Sequence, residues 1–382
     1  MRLSRRRFLI ASGASATLAL WPRTAAWGAP GGADPRLLVV LLRGGLDGLH
    51  VLPPLDDPDA ARLRAALLPD APLALDGSFG LHPALGFAHT LYQRGDLLPV
   101  VAVAPPYRER SHFDAQDCLE NGTGTPGGSH TGWLNRCVGA MGGAEGLAIA
   151  SVMPLSLRGP APARTWSPPL PQAVDPRLLE RLAPLYAADP ELATAFEQVA
   201  AGSLDAMAGE SRRARGRLPD LAGVAARFLA AAGGPRVGFV EDSGWDTHGS
   251  QARVLGRKLA ELDAALEAFH DAARAVWPST VVVVLTEFGR TVAINGTGGT
   301  DHGTGGLALL AGGPVAGGRI GGDWPGLGVR SLYEGRDLRP TGDLRGLLKG
   351  VLGRHLGVSE AALETQVFPD SRSVPRMEGL IG

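Results

Sequence analysis

Five short stretches of the sequence carry carboxylates, four of them also carry histidine, and each lies beside a run of apolar residues. In chain order they read RGGLDGLH (43–50), RERSHFD (108–114), DSGWDTH (242–248), TEFGR (286–290) and GTDHGTGG (299–306). Carboxylate oxygens and imidazole nitrogens together form the ligand sets of Zn²⁺ and Mn²⁺ in hydrolytic sites. The candidate metal ligands are therefore Asp47, Asp246, His248, Glu287, Asp301 and His302.

Among these residues, His302 is the strongest candidate for a metal or catalytic histidine, because Asp301 and five glycines within 298–306 surround it. Asp301 either orients His302 or ligates the metal itself. Asp246 and His248 share one side of an extended segment, which suits two ligands of one ion. Asp47 is either a ligand or the organiser of the turn at 44–48.

Four residues are candidates for the reaction itself: Ser111, His112, Arg43 and Arg290. Ser111 fits the N-cap of a helix, with Asp114 three residues on. It also fits a nucleophile, since a helix N-terminus stabilises anions such as phosphate or sulfate. His112 either ligates a metal or hydrogen-bonds across the site.

The two arginines each follow a predicted strand. There, Arg43 and Arg290 could clamp an oxyanion with bidentate hydrogen bonds. The alternative for each is an ion pair with Asp47 or Glu287. Both interpretations are compatible with the sequence.

The apolar runs beside these stretches predict the elements that must position them. The runs predict strands over Arg36–Leu42, Leu97–Ala104, Gly146–Val152, Pro235–Glu241, Thr280–Leu285 and Leu307–Ala311. The candidate helices are Pro58–Leu68, Pro83–Arg94, Ser111–Asn121, Thr131–Met141, Ser250–Val276 and Asp343–Leu356. This alternation indicates an α/β fold with a mainly parallel sheet. Loops at the carboxyl ends of such strands gather at one edge, so we expect the candidate side chains to lie together.

Composition excludes some functions and leaves the domain count open. The chain has 382 residues, 45% of them hydrophobic, which is ample for a folded core. A formal net charge of −1, from 37 basic and 38 acidic residues, argues against electrostatic binding of nucleic acid. Residues 158–175 are too rich in proline for a regular element, and helical patterns follow them. We interpret 158–232 as a helical insertion in one α/β domain spanning 30–382.

The first 29 residues predict a twin-arginine signal peptide. The order is basic, apolar and small: SRRRFL at 4–9, an apolar run to Trp21, and a small-residue cleavage region near 24–29. The apolar run is shorter than a membrane span, and no later segment reaches that length. We therefore expect a periplasmic or secreted protein that meets the twin-arginine export machinery. In that oxidising compartment, Cys118 and Cys137 could form a disulfide or remain buried free thiols.

The motifs RGGLDGLH, RSHFDAQ, GWLNR, WDTH, EFGRT and GTDHG occur in this order behind the signal. Together they resemble domain-of-unknown-function family 1501 over essentially the whole mature chain. That resemblance implies the alkaline phosphatase and sulfatase superfamily. Its members have a three-layer α/β/α sandwich, bind metals at strand ends and cleave phosphate or sulfate esters.

The resemblance also assigns roles to individual positions. Ser111 would stand near the nucleophile, Glu287 would replace an Asp, and the metal positions would be Asp47, Asp246 with His248, and His302. Phe288 stands where the superfamily has a histidine, which leaves a second metal site without a ligand. The Cys or Ser followed by x-Pro-x-Arg that marks sulfatases is absent.

The leading functional hypothesis is an exported, metal-dependent hydrolase of a small-molecule or glycan phosphate or sulfate ester, with Zn²⁺ or Mn²⁺ as cofactor. The alternative is a non-catalytic periplasmic binding or assembly protein that keeps an anion or glycan pocket. A third possibility, a hydrolase using Ser111 and His302 without metal, lacks the GxSxG elbow.

Overall fold

The most apolar stretches of the sequence become the strands of a central sheet. The computed structural model describes residues 34–168 and 216–382, together with positions 181, 183, 184 and 193. The strands are β1 (Arg36–Leu42), β2 (Leu73–Ala74), β3 (Gly80–Leu81), β4 (Leu97–Ala104), β5 (Gly146–Ile149), β6 (Ala163–Trp166), β7 (Val237–Asp242), β8 (Thr280–Leu285), β9 (Gly306–Ala311) and β10 (Gly342–Asp343). The predicted signal peptide, 1–29, lies outside the described residues.

Eight of these strands form one sheet in the order β10-β4-β9-β8-β1-β7-β5-β6, and β2 pairs with β3 separately. Neighbours in the large sheet are parallel except at β9, which runs antiparallel to both β4 and β8. The predicted α/β class with a mainly parallel sheet is confirmed. Because β9 is reversed, its first residue lies at the edge where the parallel strands end.

Helices cover both faces of this sheet. They are α1 (Gly48–Val51), α2 (Pro58–Arg64), α3 (Gly86–Arg94), α4 (His112–Asn121), α5 (Trp133–Met141), α6 (Leu218–Ala230), α7 (Gln251–Ala272), α8 (Leu344–Leu356) and α9 (Glu360–Ala362). Side chains alternate across a strand, so β1 contributes to two cores. Leu38 and Val40 pack in the core that contains α3, α6 and α7, whereas Leu37 and Val39 pack with α5 and α8. This is the expected three-layer α/β/α sandwich.

The proline-rich segment contains a strand that the sequence did not predict. Ala163–Trp166 pairs in parallel with β5 at the edge of the sheet. Its prolines, Pro160 and Pro162, precede the paired residues and therefore remove no hydrogen bond from the ladder. Helix α6 buries one face in the sheet core, and the rest of the predicted insertion, at 169–215, lies almost entirely outside the described residues.

Other boundaries shift by a few residues. Strand β5 ends at Ile149 instead of Val152, and β7 begins at Val237 instead of Pro235. Cys118 and Cys137 are free thiols, and burial raises their pKa values to about 11 and about 12. Within the described part of the chain, the helices are too short or too polar to cross a membrane.

Candidate metal centre

Four loops at one edge of the sheet bring the chemical groups together. Asp246 and His248 follow β7, Glu287 follows β8, and His112 begins α4 after β4. His302 precedes β9, and it reaches the same edge because β9 runs antiparallel to its neighbours. As expected from the sequence, these loops bring the five side chains to one edge of the sheet.

Three imidazoles and one carboxylate converge. The Nε2 atom of His302 lies 2.9 Å from Nε2 of His112 and 3.0 Å from Nε2 of His248. Asp246 Oδ1 lies 3.0 Å from His248 Nε2 and 3.4 Å from His302 Nε2. Asp246 Oδ2 lies 3.5 Å from His112 Nε2. We call these four side chains the histidine centre.

Each imidazole is held by its other nitrogen. The Nδ1 atoms donate to three separate oxygens: His112 to Glu287 Oε1 at 2.7 Å, His248 to Asp301 Oδ1 at 3.2 Å, and His302 to the Arg110 carbonyl at 2.9 Å. Carbonyl and carboxylate oxygens only accept, so Nδ1 carries the proton and Nε2 presents a lone pair. Metal-binding histidines are typically ordered in this way.

The centre fits a divalent metal in spacing as well as in chemistry. Three lone pairs and a carboxylate so close together repel one another unless a cation lies between them. A tetrahedral ion with bonds of about 2.0–2.1 Å places its ligand atoms about 3.3 Å apart. Five distances between these side chains, 2.9–3.5 Å, agree with that value, and ligand atoms of His112, Asp246 and His302 all lie within 4.8 Å of one another. Imidazole with carboxylate suits Zn²⁺ or Mn²⁺.

Neighbouring groups shift the acidities within the centre. The hydrogen bond to Glu287 raises the pKa of His112, whereas burial and the adjacent His112 lower the pKa of His302. Burial opposes ionisation of Asp246, but Arg290, 2.6 Å away, holds the pKa of this carboxyl below its usual range.

Glu287 orients His112 and is not one of the four side chains of the histidine centre. Its Oε1 accepts hydrogen bonds from His112 Nδ1, from Gly44 N at 2.8 Å and from Gln116 Nε2 at 2.8 Å. Its Oε2 lies 3.0 Å from Thr286 Oγ1, whose single proton also has the Leu42 carbonyl within reach at 2.8 Å. Burial alone would raise the pKa of Glu287, yet these donors hold it below its usual range. Because Oε1 accepts from three donors, His112 among them, the structure gives Glu287 the role of acceptor for His112.

Asp47 lies away from the centre, so the alternative interpretation as a turn organiser describes it. Its Oδ1 accepts from Leu49 N and His50 N at the start of α1. Its Oδ2 pairs with Arg64 at 2.6 Å and accepts from Gln251 Nε2 at 2.5 Å. Both oxygens are thus occupied inside the core. Of the two roles considered for Asp47, these contacts favour that of turn organiser.

Asp301 acts on a different histidine from the one expected. Its Oδ1 accepts from His248 Nδ1, and also from Asn295 Nδ2 at 3.1 Å. The hydrogen bond from Asn295 is the main reason that the pKa of Asp301 is lowered. His302, which Asp301 was expected to orient, uses the Arg110 carbonyl.

Arg290 is buried and connects two loops of the site. Its fully buried guanidinium donates to Asp246 Oδ1 and to the carbonyl and hydroxyl of Thr300. It therefore fixes the loop before β9 against the loop after β7. Its ion-pair partner is Asp246, not the expected Asp47 or Glu287, and no face of it remains for an oxyanion.

Arg43 is likewise engaged, again with unexpected partners. It donates to Glu241 Oε2 at 2.6 and 2.8 Å, to Glu120 Oε1 at 2.8 Å and to Gln116 Oε1 at 2.9 Å. Gln116 in turn donates a hydrogen bond from its Nε2 to Glu287 Oε1. The arginine thus stiffens the acceptor of His112 and is not placed as a free anion clamp.

Ser111 is the N-cap of α4. Its Oγ accepts from Asp114 N at 3.5 Å, and Asp114 accepts from the Tyr107 hydroxyl at 3.0 Å. Its chain neighbour, His112, belongs to the histidine centre. The cap is formed, and the nucleophile role remains a prediction.

The sequence alone did not predict the contacts of several residues in the site. Gln116 lies inside the quoted RSHFDAQ motif, but only the fold shows that it touches Glu287. Phe288 packs against His112 with ring centroids 4.7 Å apart, so it forms an apolar wall where a second ligand was missing. Gly44, at φ +124°, donates to Glu287, and a Cβ there would collide with Asp246 N. That collision explains the first glycine of RGGLDG.

The centre opens to solvent on one side. The side chains of Asp246 and His248 are 40% and 47% exposed, compared with 22% for His112. Arg336 lies at this open side: its Nη2 donates to the His302 carbonyl at 2.9 Å, and its side chain remains 43% exposed. Its Nη1 forms an ion pair with Asp337 Oδ1 at 3.5 Å.

The fold and the site define a three-layer α/β protein with a candidate three-histidine, one-carboxylate metal centre at the carboxyl edge of its sheet. The chain belongs to the family described as protein of unknown function (DUF1501), whose sequence profile matches residues 106–367. That span contains all four residues of the histidine centre. A search of curated proteins found no match.

Solved structures with similar folds have low identity. Murine ectonucleotide pyrophosphatase/phosphodiesterase 5 is 11% identical over 67% of this chain and 57% of that chain, with a TM-score of 0.33. Alkaline phosphatase from the Antarctic bacterium TAB5 is 12% identical over 76% and 95%, with a TM-score of 0.35. A putative sulfatase from Bacteroides thetaiotaomicron is 9% identical over 90% and 74%, with a TM-score of 0.44. The chain thus spans little more than half of the phosphodiesterase, and its reaction has to be inferred from its own residues.

Proposed function

We propose that this chain is a metal-dependent hydrolase of a phosphate or sulfate ester, with His112, Asp246, His248 and His302 as the ligands of one divalent ion. The observation that carries this proposal is the convergence of three Nε2 lone pairs and a carboxylate, with every Nδ1 already occupied. When bound, Zn²⁺ or Mn²⁺ supplies Lewis-acid polarisation of an ester oxygen and lowers the pKa of water.

The residues around the centre have separate tasks. Glu287 and Asp301 keep two imidazoles in the ligating tautomer, and Phe288 excludes water from one side. The attacking group is either Ser111 Oγ, at the N-terminus of α4, or a water molecule at the open side. A helix N-terminus at that position favours the developing negative charge in either case.

Arg336 is the arginine we assign to the anionic part of the substrate. Arg43 and Arg290 form ion pairs and their side chains are 22% and 0% exposed, whereas the side chain of Arg336 stays 43% exposed beside its contacts to Asp337 and the His302 carbonyl. Arginine forks recognise phosphate and sulfate oxygens. Arg336→Gln is therefore expected to raise KM for an aryl phosphate or sulfate about tenfold while kcat changes little.

The direct test of the reaction is a panel of aryl phosphates and aryl sulfates, assayed with metal-free protein and after addition of Zn²⁺ or Mn²⁺. We expect turnover that requires metal and that is lost in Asp246→Asn. Hydrolysis that persists at full rate in chelator would contradict the proposal. Glu378→Gln, which changes an exposed carboxylate outside the centre, is the matched control.

One observation favours a second candidate function, a non-catalytic protein that binds an anion or a glycan. Both arginines expected to stabilise an oxyanion are neutralised by carboxylates, and Phe288 replaces a ligand. Saturable binding of a sulfated glycan, together with no turnover on any ester in the metal-loaded protein, would support this alternative.

We propose further that residues 1–29 direct export by the twin-arginine pathway to the periplasm or beyond. The support is the order of basic, apolar and small residues in the sequence. Changing Arg5 and Arg6 to lysine should retain the full-length precursor in the cytoplasm. Cell fractionation measures this, and export of the double variant at the normal rate would contradict it.

A further inference from the structure

Arg110 has an unusual backbone conformation next to the histidine centre. Its φ is +59°, in the left-handed region that residues with a Cβ rarely adopt. In this conformation its carbonyl oxygen accepts the hydrogen bond from His302 Nδ1 at 2.9 Å. Backbone strain of this kind persists only where surrounding contacts enforce it.

The guanidinium of Arg110 supplies such contacts. Its Nε donates to Asp337 Oδ2 at 2.8 Å, and its Nη2 donates to Glu334 Oε2 at 2.6 Å. It also lies over the Tyr333 ring, 5.8 Å from the centroid. The Asp337 side chain is fully buried, so this anchor is not a solvated surface pair.

The turn that receives Arg110 is itself fixed to the site. Residues 333–337 close on themselves through Tyr333 N and Asp337 O, 2.8 Å apart, and Val292 N donates to Arg336 O at 3.2 Å. Arg336 then donates to the His302 carbonyl. The turn therefore contacts both the backbone and, through Arg110, the imidazole of the same histidine.

We propose that Arg110 is a positioning residue for His302. Its ion pairs with Glu334 and Asp337 hold the left-handed backbone, and that backbone aims the carbonyl at Nδ1. The carbonyl then keeps the proton on Nδ1 and the lone pair of Nε2 directed into the centre. This inference rests on the proposed function only in taking the centre to be a metal site.

Two substitutions separate positioning from simple charge. Arg110→Ala removes the guanidinium and keeps the cost of a positive φ, so the backbone relaxes and the carbonyl leaves Nδ1. Arg110→Gly also removes the guanidinium, but glycine adopts a positive φ freely, so the carbonyl can stay in place. A purely electrostatic role predicts the same loss in both variants.

The experiment compares these variants with wild type and with Arg62→Ala, which removes an exposed ion pair to Asp59. Zn²⁺ affinity is measured by competition with a chromophoric chelator. We expect Arg110→Ala to bind Zn²⁺ about 10- to 100-fold more weakly, which is the usual loss when a group that orients a metal ligand is removed. We expect the Zn²⁺ affinity of Arg110→Gly to remain within about threefold of wild type. Equal losses in both variants, or no loss in either, would overturn the inference.

A second readout does not depend on metal. Nitrogen NMR of histidine-labelled, metal-free protein reports the tautomer of His302, which we expect to be Nδ1–H in wild type and Arg110→Gly but mixed in Arg110→Ala. If wild type binds no Zn²⁺, the proposed function fails, while this spectrum still decides the role of Arg110. Should Arg110→Ala not fold, Glu334→Gln removes one partner at an exposed position and is expected to shift the tautomer in the same direction; an unchanged spectrum then counts against the inference.

Discussion

The three histidines of the centre share one tautomer although their acceptors differ in kind: a buried carboxylate, an exposed carboxylate and a main-chain carbonyl. Glu287 orders His112 most firmly, because its Oε1 also accepts from Gly44 N and Gln116 Nε2. The affinity of the centre is therefore expected to depend on residues that never contact the metal.

Glu287→Gln should weaken Zn²⁺ binding by about 10- to 100-fold, since the acceptor of His112 loses its charge while the four ligands remain. Isothermal titration of the metal-free protein measures the change. Glu378→Gln is the control, because Glu378 is 72% exposed and pairs with Arg376, which takes no part in ordering His112. Unchanged affinity in Glu287→Gln would show that His112 needs no carboxylate to order it.

Ser111 has two roles that substitution can separate. Ser111→Ala removes both cap and hydroxyl and should lower the free energy of unfolding by about 1 kcal/mol, whereas Ser111→Asp keeps a cap and should not. Chemical denaturation measures both. A nucleophilic serine requires turnover of the aryl ester to disappear in both variants. Turnover that survives in Ser111→Asp assigns the attack to water.

At the scale of elements, the sequence predicts most of the longer strands, but it does not predict which strands pair with one another. Arg36–Leu42, Leu97–Ala104 and Thr280–Leu285 were predicted with their full bounds, because continuous apolar runs of this length have few other structures available. The antiparallel direction of β9 could not be read locally, since pairing is a property of distant segments. That direction is what brings His302 to the site.

The partners of the arginines escaped prediction for the same physical reason. Arg43 meets Glu120 and Glu241 across 77 and 198 positions of sequence, and only the layered packing brings them together. The missed strand at 163–166 shows the opposite error. Proline content counted against the whole segment, although the four paired residues contain none.

The contact between α1 and the residue that follows β3 contains an acid-sensitive pair. His50 and His82 have ring centroids 5.0 Å apart, and burial, followed by the charge of His50, lowers the pKa of His82 from 6.5 to about 4. Because the unfolded chain binds this proton more readily, stability is present above pH 6.5 and is lost as the pH falls toward 4.

His82→Asn should therefore reduce the loss of unfolding free energy between pH 6.5 and 4.5, by about 1 kcal/mol once solvent screening of this half-buried group is allowed for. Asparagine keeps an acceptor for Ala84 N, which His82 Nδ1 now receives at 3.1 Å. Urea denaturation across this pH range is the measurement. His89→Asn, on α3, is the control, and an equal pH dependence in both variants would contradict the assignment.

For the molecule as a whole, the centre joins segments that are far apart in sequence. It links the loops before α4, after β7 and before β9, and Arg290 fastens two of them. A ligand that binds only the folded state stabilises it, by about 3 kcal/mol at 100 times its Kd. Removing the metal should therefore lower the melting temperature by several degrees.

Calorimetry of the loaded protein with and without chelator measures this shift. The shift should be absent in His248→Ala, which lacks one ligand but lies at the exposed side, where truncation disturbs little packing. A chelator effect of equal size in that variant would place the metal elsewhere in the molecule.

The most direct test of the central claim is the metal content of the folded protein, measured together with that of His302→Ala. The histidine centre predicts about one tightly held equivalent of Zn²⁺ or Mn²⁺ in the wild type and an affinity at least about 100-fold weaker in the variant. Less than one tightly held equivalent in the wild type, or equal affinity in the two proteins, would contradict it.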